Sequence, residues 1–326
     1  MTRPHRLYVG CIGEGVFRST DSGQTFRRAC DGMAFVECHV RALIVHPTRP
    51  EVLYVGSEQG LHRTDNGADS WTKLPAPLDS MQVWSLWQSA ASPDVILAGT
   101  CPPGLVRSED GGRAWTAPAS RIEQDCPRIQ FNRVTTLAAD PTDPSTLWAG
   151  VEIDGVHRSQ DGGRNWQPID NGLTSRDIHA LAVVPARAGR PRRLLATTNR
   201  DLNLSDDDGK TWRPAHIDRV LPWPYCRALA QKVGRPDVLF LGNGDGPPGC
   251  SGALARSLDS GDTWQRLTLP CEPNSTIWNI AVHSADPELI YANSVSGQVF
   301  RSFDGGDTWD KLRREFGEIR ALAWTP

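Results

Sequence analysis

The stretch HRSQDGGRNW, His157 to Trp166, decides the fold because it is repeated along the chain. VRSEDGGRAW at 106–115 and FRSFDGGDTW at 300–309 follow the same pattern. Aligned on S/T-x-D-x-G-x-x-W/F, the copies begin at Ser19, Thr64, Ser108, Ser159, Ser205, Ser257 and Ser302, spaced by 44 to 52 residues. The copy at Thr64 departs most, with Asn66 and Ala68 where the others carry Asp and Gly, and an Arg precedes every copy except the one after Leu204. Half of the 12 tryptophans end a copy, so Trp is here largely a repeat residue.

Around each copy the same short patterns recur, clearest in HVRALIVHP, PEVLYVGSE, GLHRTDNGADSW and TKL from residue 39. Apolar runs of four to eight residues separated by Gly, Pro and Asp read as strands. Each unit therefore holds four strands, A to D, with the motif at the C–D turn. Within it Gly supplies the left-handed backbone of a tight turn, Asp accepts turn N–H groups, the Ser hydroxyl helps close it, and Trp adds buried area. A period in this range is that of a propeller blade. The chain starts on a B-type strand (RLYVG) and ends on an A-type strand (IRALAWTP), which share one blade. The expectation is an all-β, seven-bladed β-propeller of four-stranded blades, closed by pairing the N- and C-terminal strands in one blade, as a single domain over residues 1–326.

The seven motifs resemble the Asp-box, or BNR repeat, and over the whole chain the pattern is similar to the sialidase-like, Asp-box propellers of the wider WD40-YVTN-BNR-like group. That resemblance implies that the boxes are structural turns at the blade periphery, away from the ligand site. Sialidases bind a carboxylate with three arginines, a Tyr nucleophile assisted by Glu, and an Asp acid/base. They have six blades and a FRIP-type motif, which is absent here, so sialidase activity is not the expectation. Asp-box xyloglucanases pair two seven-bladed domains across a cleft, and the seven-bladed photosystem II assembly factors bind protein through an arginine-rich patch.

Residues that recur at one place in several blades are explained by the repeat; what remains is a candidate for function. His46 and His283 share one repeat position and His62 and His157 another, leaving His5, His39, His179 and His216. In strand A, Val40, Val83, Val134, Ile178, Cys226, Ile277 and Ile319 are followed two residues later mostly by small residues and three later by Leu or Ile. Between them the chemistry diverges: Arg41, Trp84, Thr135, His179, Arg227, Trp278 and Arg320. Two residues before these stand His39, Gln82, Arg133, Asp177, Tyr225, Thr276 and Glu318, on the same side by strand periodicity. Innermost strands surround a propeller's channel, so these residues ring one mouth. The B–C connections reach the same face and add Glu14, Glu58, Glu152, Asn199, Arg200, Asn243 and Asp245.

Three arginines at equivalent positions, Arg41, Arg227 and Arg320, suit a carboxylate or phosphate. Trp84 and Trp278 offer stacking walls, with His39, Arg133, Glu58 and Asn243 as further contacts. The bland alternative is that the arginines pair with Glu58, Glu152 or Glu318 and build the channel. Acid/base chemistry of a hydrolase or lyase type falls to His179, Asp177 and Glu152, with Tyr225 as the nucleophile candidate. Two function classes stay open: a binder of, or enzyme acting on, a small anionic or sugar-like molecule, and a noncatalytic scaffold holding a protein partner on the same face.

The eight cysteines fall in B–C or D–A segments or at the start of strand A, as buried small residues, loop-stapling disulfides or a reactive or metal-binding thiol. No cofactor is expected, although a metal at His39, His179 and Cys226 stays open; GxGxxG, Walker and HExxH signals are absent. A net charge of -3 gives no reason to expect nucleic acid or a membrane surface as partner. No apolar run suggests a membrane span or a signal peptide, so the expectation is a cytoplasmic monomer.

Overall fold

The computed structural model of the chain describes residues 4–75, 77–118, 121–126, 130–187 and 189–326. Seven antiparallel sheets form a ring, each in the order A–B–C–D. Blade 1 is Val40–Val45, Leu53–Ser57, Gly60–Thr64 and Thr72–Lys73. Blades 2 to 6 begin their A strands at Gln82, Val134, Ile178, Tyr225 and Ile277. In blade 2 the outer strand is reduced to one bridge, Arg107 to Thr116. A further hairpin of Asp125–Cys126 and Gln130–Phe131 precedes blade 3; the Cys126 side chain and residues 127–129 lie outside the described residues.

Blade 7 joins the two ends of the chain. Its A strand, Ile319–Thr325, pairs with its B strand, Arg6–Cys11, from Arg6 opposite Thr325 to Cys11 opposite Ile319. The expected closure is therefore present, with strands from both ends of the chain completing one blade.

Apolar burial lies in the seams between blades. Blades 7 and 1, for example, enclose Tyr8, Val16, Val40, Leu53, Val55 and Trp71, and blades 5 and 6 enclose Phe240, Leu254, Ile277, Ile290 and Phe300. Both faces of a blade are covered, which explains why the B strands read as continuous apolar runs rather than alternating ones.

The repeated motif closes the C–D turn. Ser159 Oγ donates to Asp161 Oδ1 at 2.8 Å and accepts the Gly163 N–H at 2.9 Å. Asp161 Oδ1 also accepts the N–H groups of Arg164 and Asn165, both at 2.9 Å. Gly163 occupies φ +87°, which favours glycine. The divergent copy keeps the geometry: Asn66 Oδ1 accepts the Asp69 and Ser70 N–H groups at 3.0 Å, and Ala68 takes the left-handed position at φ +67°. One acceptor oxygen is what the turn requires.

The Arg before the motif also has a role. Arg18 reaches the Gly67 carbonyl of the next blade's turn, Arg107 the Gly162 carbonyl at 2.8 Å, Arg301 the Ser22 carbonyl at 2.7 Å, and Arg256 the Asp307 carboxylate at 2.5 Å. In blade 4, where Leu204 stands instead, Arg193 of strand B makes the link to the Ser260 carbonyl at 3.2 Å. Among the described residues no helix is long and apolar enough to cross a membrane.

Asp161→Ala strands two turn N–H groups and is expected to lower unfolding free energy by about 1–2 kcal/mol. Asp161→Asn, with Asn66 as its precedent, is expected to cost less than half of that in urea denaturation. Against the upward pull of burial, hydrogen bonds from Asn165, Ser159 and the Arg164 N–H hold the Asp161 carboxyl down to about 2. The turn's contribution is thus present above the unfolded carboxylate value near 4 and is lost as pH falls from about 4 to 2. Melting temperatures measured across that window should decline for the native chain and decline less for Asp161→Asn.

Candidate functional site

The candidate site is built from one device repeated seven times. In every blade the A–B pairing slips by one residue: between Val40 and Ala42, Val83 and Ser85, Val134 and Thr136, Ile178 and Ala180, Cys226 and Ala228, Ile277 and Asn279, and in blade 7 between Ala321 and Ile319. The residue left unpaired is in turn Arg41, Trp84, Thr135, His179, Arg227, Trp278 and Arg320. A bulge re-aims the side chain of its extra residue, and here all seven line one cavity of about 250 Å³ in the central channel. Below them Leu43, Leu86, Leu137, Leu229, Ile280 and Leu322 line the same cavity and give it an aliphatic floor. Because A, B and C alternate in direction, the B–C and D–A connections share this mouth and the C–D turns lie on the opposite face.

Two arginine–tryptophan stacks dominate the mouth. Trp84 of blade 2 lies between guanidiniums from the flanking blades, Arg41 at 4.4 Å and Arg133 at 4.1 Å from its ring centroid. Trp278 of blade 6 likewise has Arg227 at 3.9 Å and Arg320 at 4.1 Å. With guanidiniums against both indoles, neither Trp offers the open wall for a sugar that the sequence suggested.

The carboxylates are distributed unevenly. Arg41 donates to Glu58 Oε2 through Nε at 3.1 Å and Nη2 at 2.8 Å. Glu58 also accepts Gln82 Nε2 at 2.6 Å, and Gln82 Oε1 accepts Trp84 Nε1 at 2.8 Å. Arg133 pairs with Glu152 and Arg320 with Glu318. Three of the four guanidiniums are thus neutralised by Glu, as the bland alternative anticipated, and a three-arginine clamp on one ligand is not formed. Arg227 differs: among the described residues no carboxylate stands within ion-pair distance of it, and Trp278 is its contact. Its charge is felt next door. Burial first, and then the Arg227 charge, hold the Arg320 guanidinium down to about 10 despite Glu318.

His179 is buried and oriented from both sides. Its Nδ1 lies 2.7 Å from the Cys226 carbonyl of blade 5, which can only accept, so Nδ1 carries the proton. Its Nε2 faces Asp177 Oδ1 at 3.3 Å, and its ring lies 4.8 Å from that of Tyr225. Burial would raise the Asp177 carboxyl, but His179, Arg227 and Arg133 together hold it below its ordinary value. The structure thus brings His179 and Asp177 together at the mouth.

Other expected residues are placed differently. Glu152 is engaged by Arg133, which removes it as a free acid or base. Burial, with Asp177 and Glu152 nearby, pushes the Tyr225 phenol up, so a phenolate nucleophile is disfavoured. Asn243 does not face the cavity: it is fully buried, its Nδ2 donating to the Trp223 and Tyr225 carbonyls at 2.6 and 3.1 Å. His39 is half-buried beside the mouth without lining the cavity. Burial pushes the Cys226 thiol well up, and its carbonyl meets His179. Among the described residues no group of three His, Cys, Asp or Glu side chains is arranged to hold a metal. The bulge itself was missed, although the spacing of Val40, Ala42 and Leu43 already breaks strict strand alternation.

No protein-family model matches the chain. It is similar to a probable oligoxyloglucan-reducing end-specific xyloglucanase of Neosartorya fischeri, 26% identical over 256 residues that cover 67% of this chain and 29% of that protein. It is also similar to a sialidase of Bacteroides fragilis, 24% identical over 273 residues that cover 78% of this chain and 48% of that protein. The chain spans less than half the length of either relative. Among solved structures, the GH74 xyloglucanase from Xanthomonas campestris gives a TM-score of 0.63 at 19% identity, covering 94% of this chain and 47% of that one. A GH74 enzyme of Niastella koreensis gives 0.62 at 11%, covering 97% and 66%. YCF48 bound to a D1 peptide gives 0.57 at 17%, covering 84% and 81%. These likenesses establish the propeller fold.

Trp278→Leu is expected to destabilise the chain by about 2 kcal/mol, because Arg227 loses its partner beside another cation. Trp84→Leu should cost less, since Arg41 and Arg133 keep their carboxylates. Urea unfolding midpoints of the two variants test the order.

Proposed function

We propose that the chain is an Asp-box propeller whose channel mouth binds a small carboxylate-bearing or sugar-acid ligand, anchored by Arg227 and Arg320. The observation that carries this reading is the imbalance on one side of the mouth. Among the described residues Arg227 has no carboxylate within ion-pair distance, and it shares the Trp278 ring with Arg320, whose guanidinium is depressed first by burial and then by the Arg227 charge. An anion bridging the two relieves that repulsion, and a planar carboxylate fits guanidinium donors. The aliphatic floor excludes water beneath it and strengthens the attraction. The xyloglucanase and sialidase similarities support a glycan-derived ligand.

Chemistry at this mouth rests on His179. His179 lines the cavity with Asp177 3.3 Å from its Nε2, and these two side chains would carry the acid/base work of a hydrolase- or lyase-type step. A protein-binding scaffold has less support. The exposed large apolar residues Phe35 with Val36, Phe131 and Val220 stand in separate D–A connections, and Leu258 and Phe303 in C–D turns, so among the described residues they form no continuous rim.

Calorimetric titration with glucuronate, N-acetylneuraminate and neutral xyloglucan oligosaccharides tests the reading. At least one acidic sugar is expected to bind, and Arg227→Ala should weaken it about tenfold, or 1.4 kcal/mol. Arg164→Ala, on the opposite face, should leave it unchanged. Binding of neutral oligosaccharides alone, or equal affinity in Arg227→Ala, would sink the proposal.

A further inference from the structure

The connection from blade 7 to blade 1 carries chemistry that the channel does not use. It leaves the sheet at Cys30, turns through a short 3-10 helix, Phe35–Glu37, and returns at Cys38, next to His39 at the mouth. Both cysteines are free. They converge over Gly15 of strand C: a Cβ there would collide with Cys30 Sγ and come within 3.3 Å of Cys38 Sγ. Gly15, at φ +79°, thus leaves room for two sulfurs side by side. The Val16 N–H donates to Cys30 Sγ at 3.3 Å, and Arg28 Nη2 lies 3.3 Å from Cys38 Sγ.

The loop between the thiols is anchored at one point and exposed at another. Buried Glu37 accepts the Ala34 N–H at 2.7 Å and Lys73 Nζ at 2.9 Å, and lies 3.1 Å from His62 Nε2. Beside it Phe35 is 77% exposed and Val36 48%.

We propose that Cys30 and Cys38 are a dithiol–disulfide pair that locks the 30–38 loop on the mouth face in response to low-molecular-weight disulfides. Cys30 is half-buried and meets the oxidant first; Cys38 is buried and resolves. Cys30 gives up its proton to water, and its thiolate attacks one sulfur of the incoming disulfide and releases one small thiolate, which is protonated by water. Cys38 gives up its proton to water, its thiolate being favoured by the adjacent Arg28, and displaces the second small thiolate as the Cys30–Cys38 bond forms. Two protein thiols are oxidised and one small disulfide is reduced to two thiols. Burial pushes the Cys38 thiol up while Arg28 draws it back, which suits a resolving rather than an attacking sulfur.

The full chain is incubated with oxidised glutathione, alkylated and digested with trypsin. Both cysteines fall in the single peptide Ala29–Arg41. The expected product resists alkylation at both positions and has lost two hydrogens, and Cys38→Ser should instead retain glutathione on Cys30. Chymotryptic cleavage of the native chain after Phe35 should slow about tenfold on oxidation, and not in Cys38→Ser. Recovery of two alkylated thiols, a lasting glutathione adduct on native Cys30, a Cys11–Cys30 linkage or unchanged cleavage would overturn the proposal.

Discussion

The ring depends on one acceptor oxygen in each C–D turn. Placed two residues after a Ser or Thr, it gathers the next N–H groups and the hydroxyl, which fixes where strand C stops and strand D begins. Most turns then expose a carbonyl or carboxylate to an arginine of the blade before, while the blade 2 turn is met by the Tyr54 hydroxyl at the Gly111 carbonyl, so local hydrogen bonding becomes a link between neighbours. The substitutions show which part is essential. Asn66 replaces a carboxylate without loss of geometry, and Arg193 covers for Leu204 from the adjacent strand. Charge at the turn and the origin of the arginine are negotiable; the acceptor and the inter-blade contact are retained.

Much of the fold was legible because it is written several times. The order of four strands, the blade number and the shared terminal blade all follow from repeat spacing, and the repeat also isolated the seven channel positions. What stayed hidden are properties of pairing and distance. A bulge exists only in the register between two strands, so Arg41 or Trp278 looks in sequence like any strand residue. The partners of Arg133 and Arg41 were nameable as types, since Glu152 and Glu58 lie in connections reaching the same face. Which arginine lacked a partner turned on distances: the sequence shows Tyr225 in blade 5 where blade 7 has Glu318, but not that Glu58 and Glu152 go to Arg41 and Arg133 and leave Arg227 without a carboxylate among the described residues. Asn243 was misplaced for a simpler reason, as its side chain points back to the Trp223 carbonyl.

The mouth is electrostatically quiet on one side and unbalanced on the other. Around Trp84, two guanidiniums are matched by two carboxylates and tied further by Gln82, which makes that side a rigid wall. Around Trp278 the two cations share one carboxylate, Glu318, with the aromatic face as the remaining partner for Arg227. Cation–aromatic contact stabilises a guanidinium without cancelling its charge, so the field survives into the cavity. His179 stands between these sides, with one nitrogen committed to a blade seam and the other to Asp177.

The seven bulges separate two kinds of selection. The residues that flank each bulge fill the seams and answer to stability. The bulged residue itself stays out of the apolar seams and reaches across the mouth to the neighbouring blade, as Thr135 does to the Ile178 carbonyl at 2.6 Å and Arg227 to the Trp278 ring. Such a ring is a set of seven sockets of fixed backbone and differing side chain, each tied to its neighbours at the mouth, so that exchanging Trp278 alters the lining of the channel and the joint between three blades together.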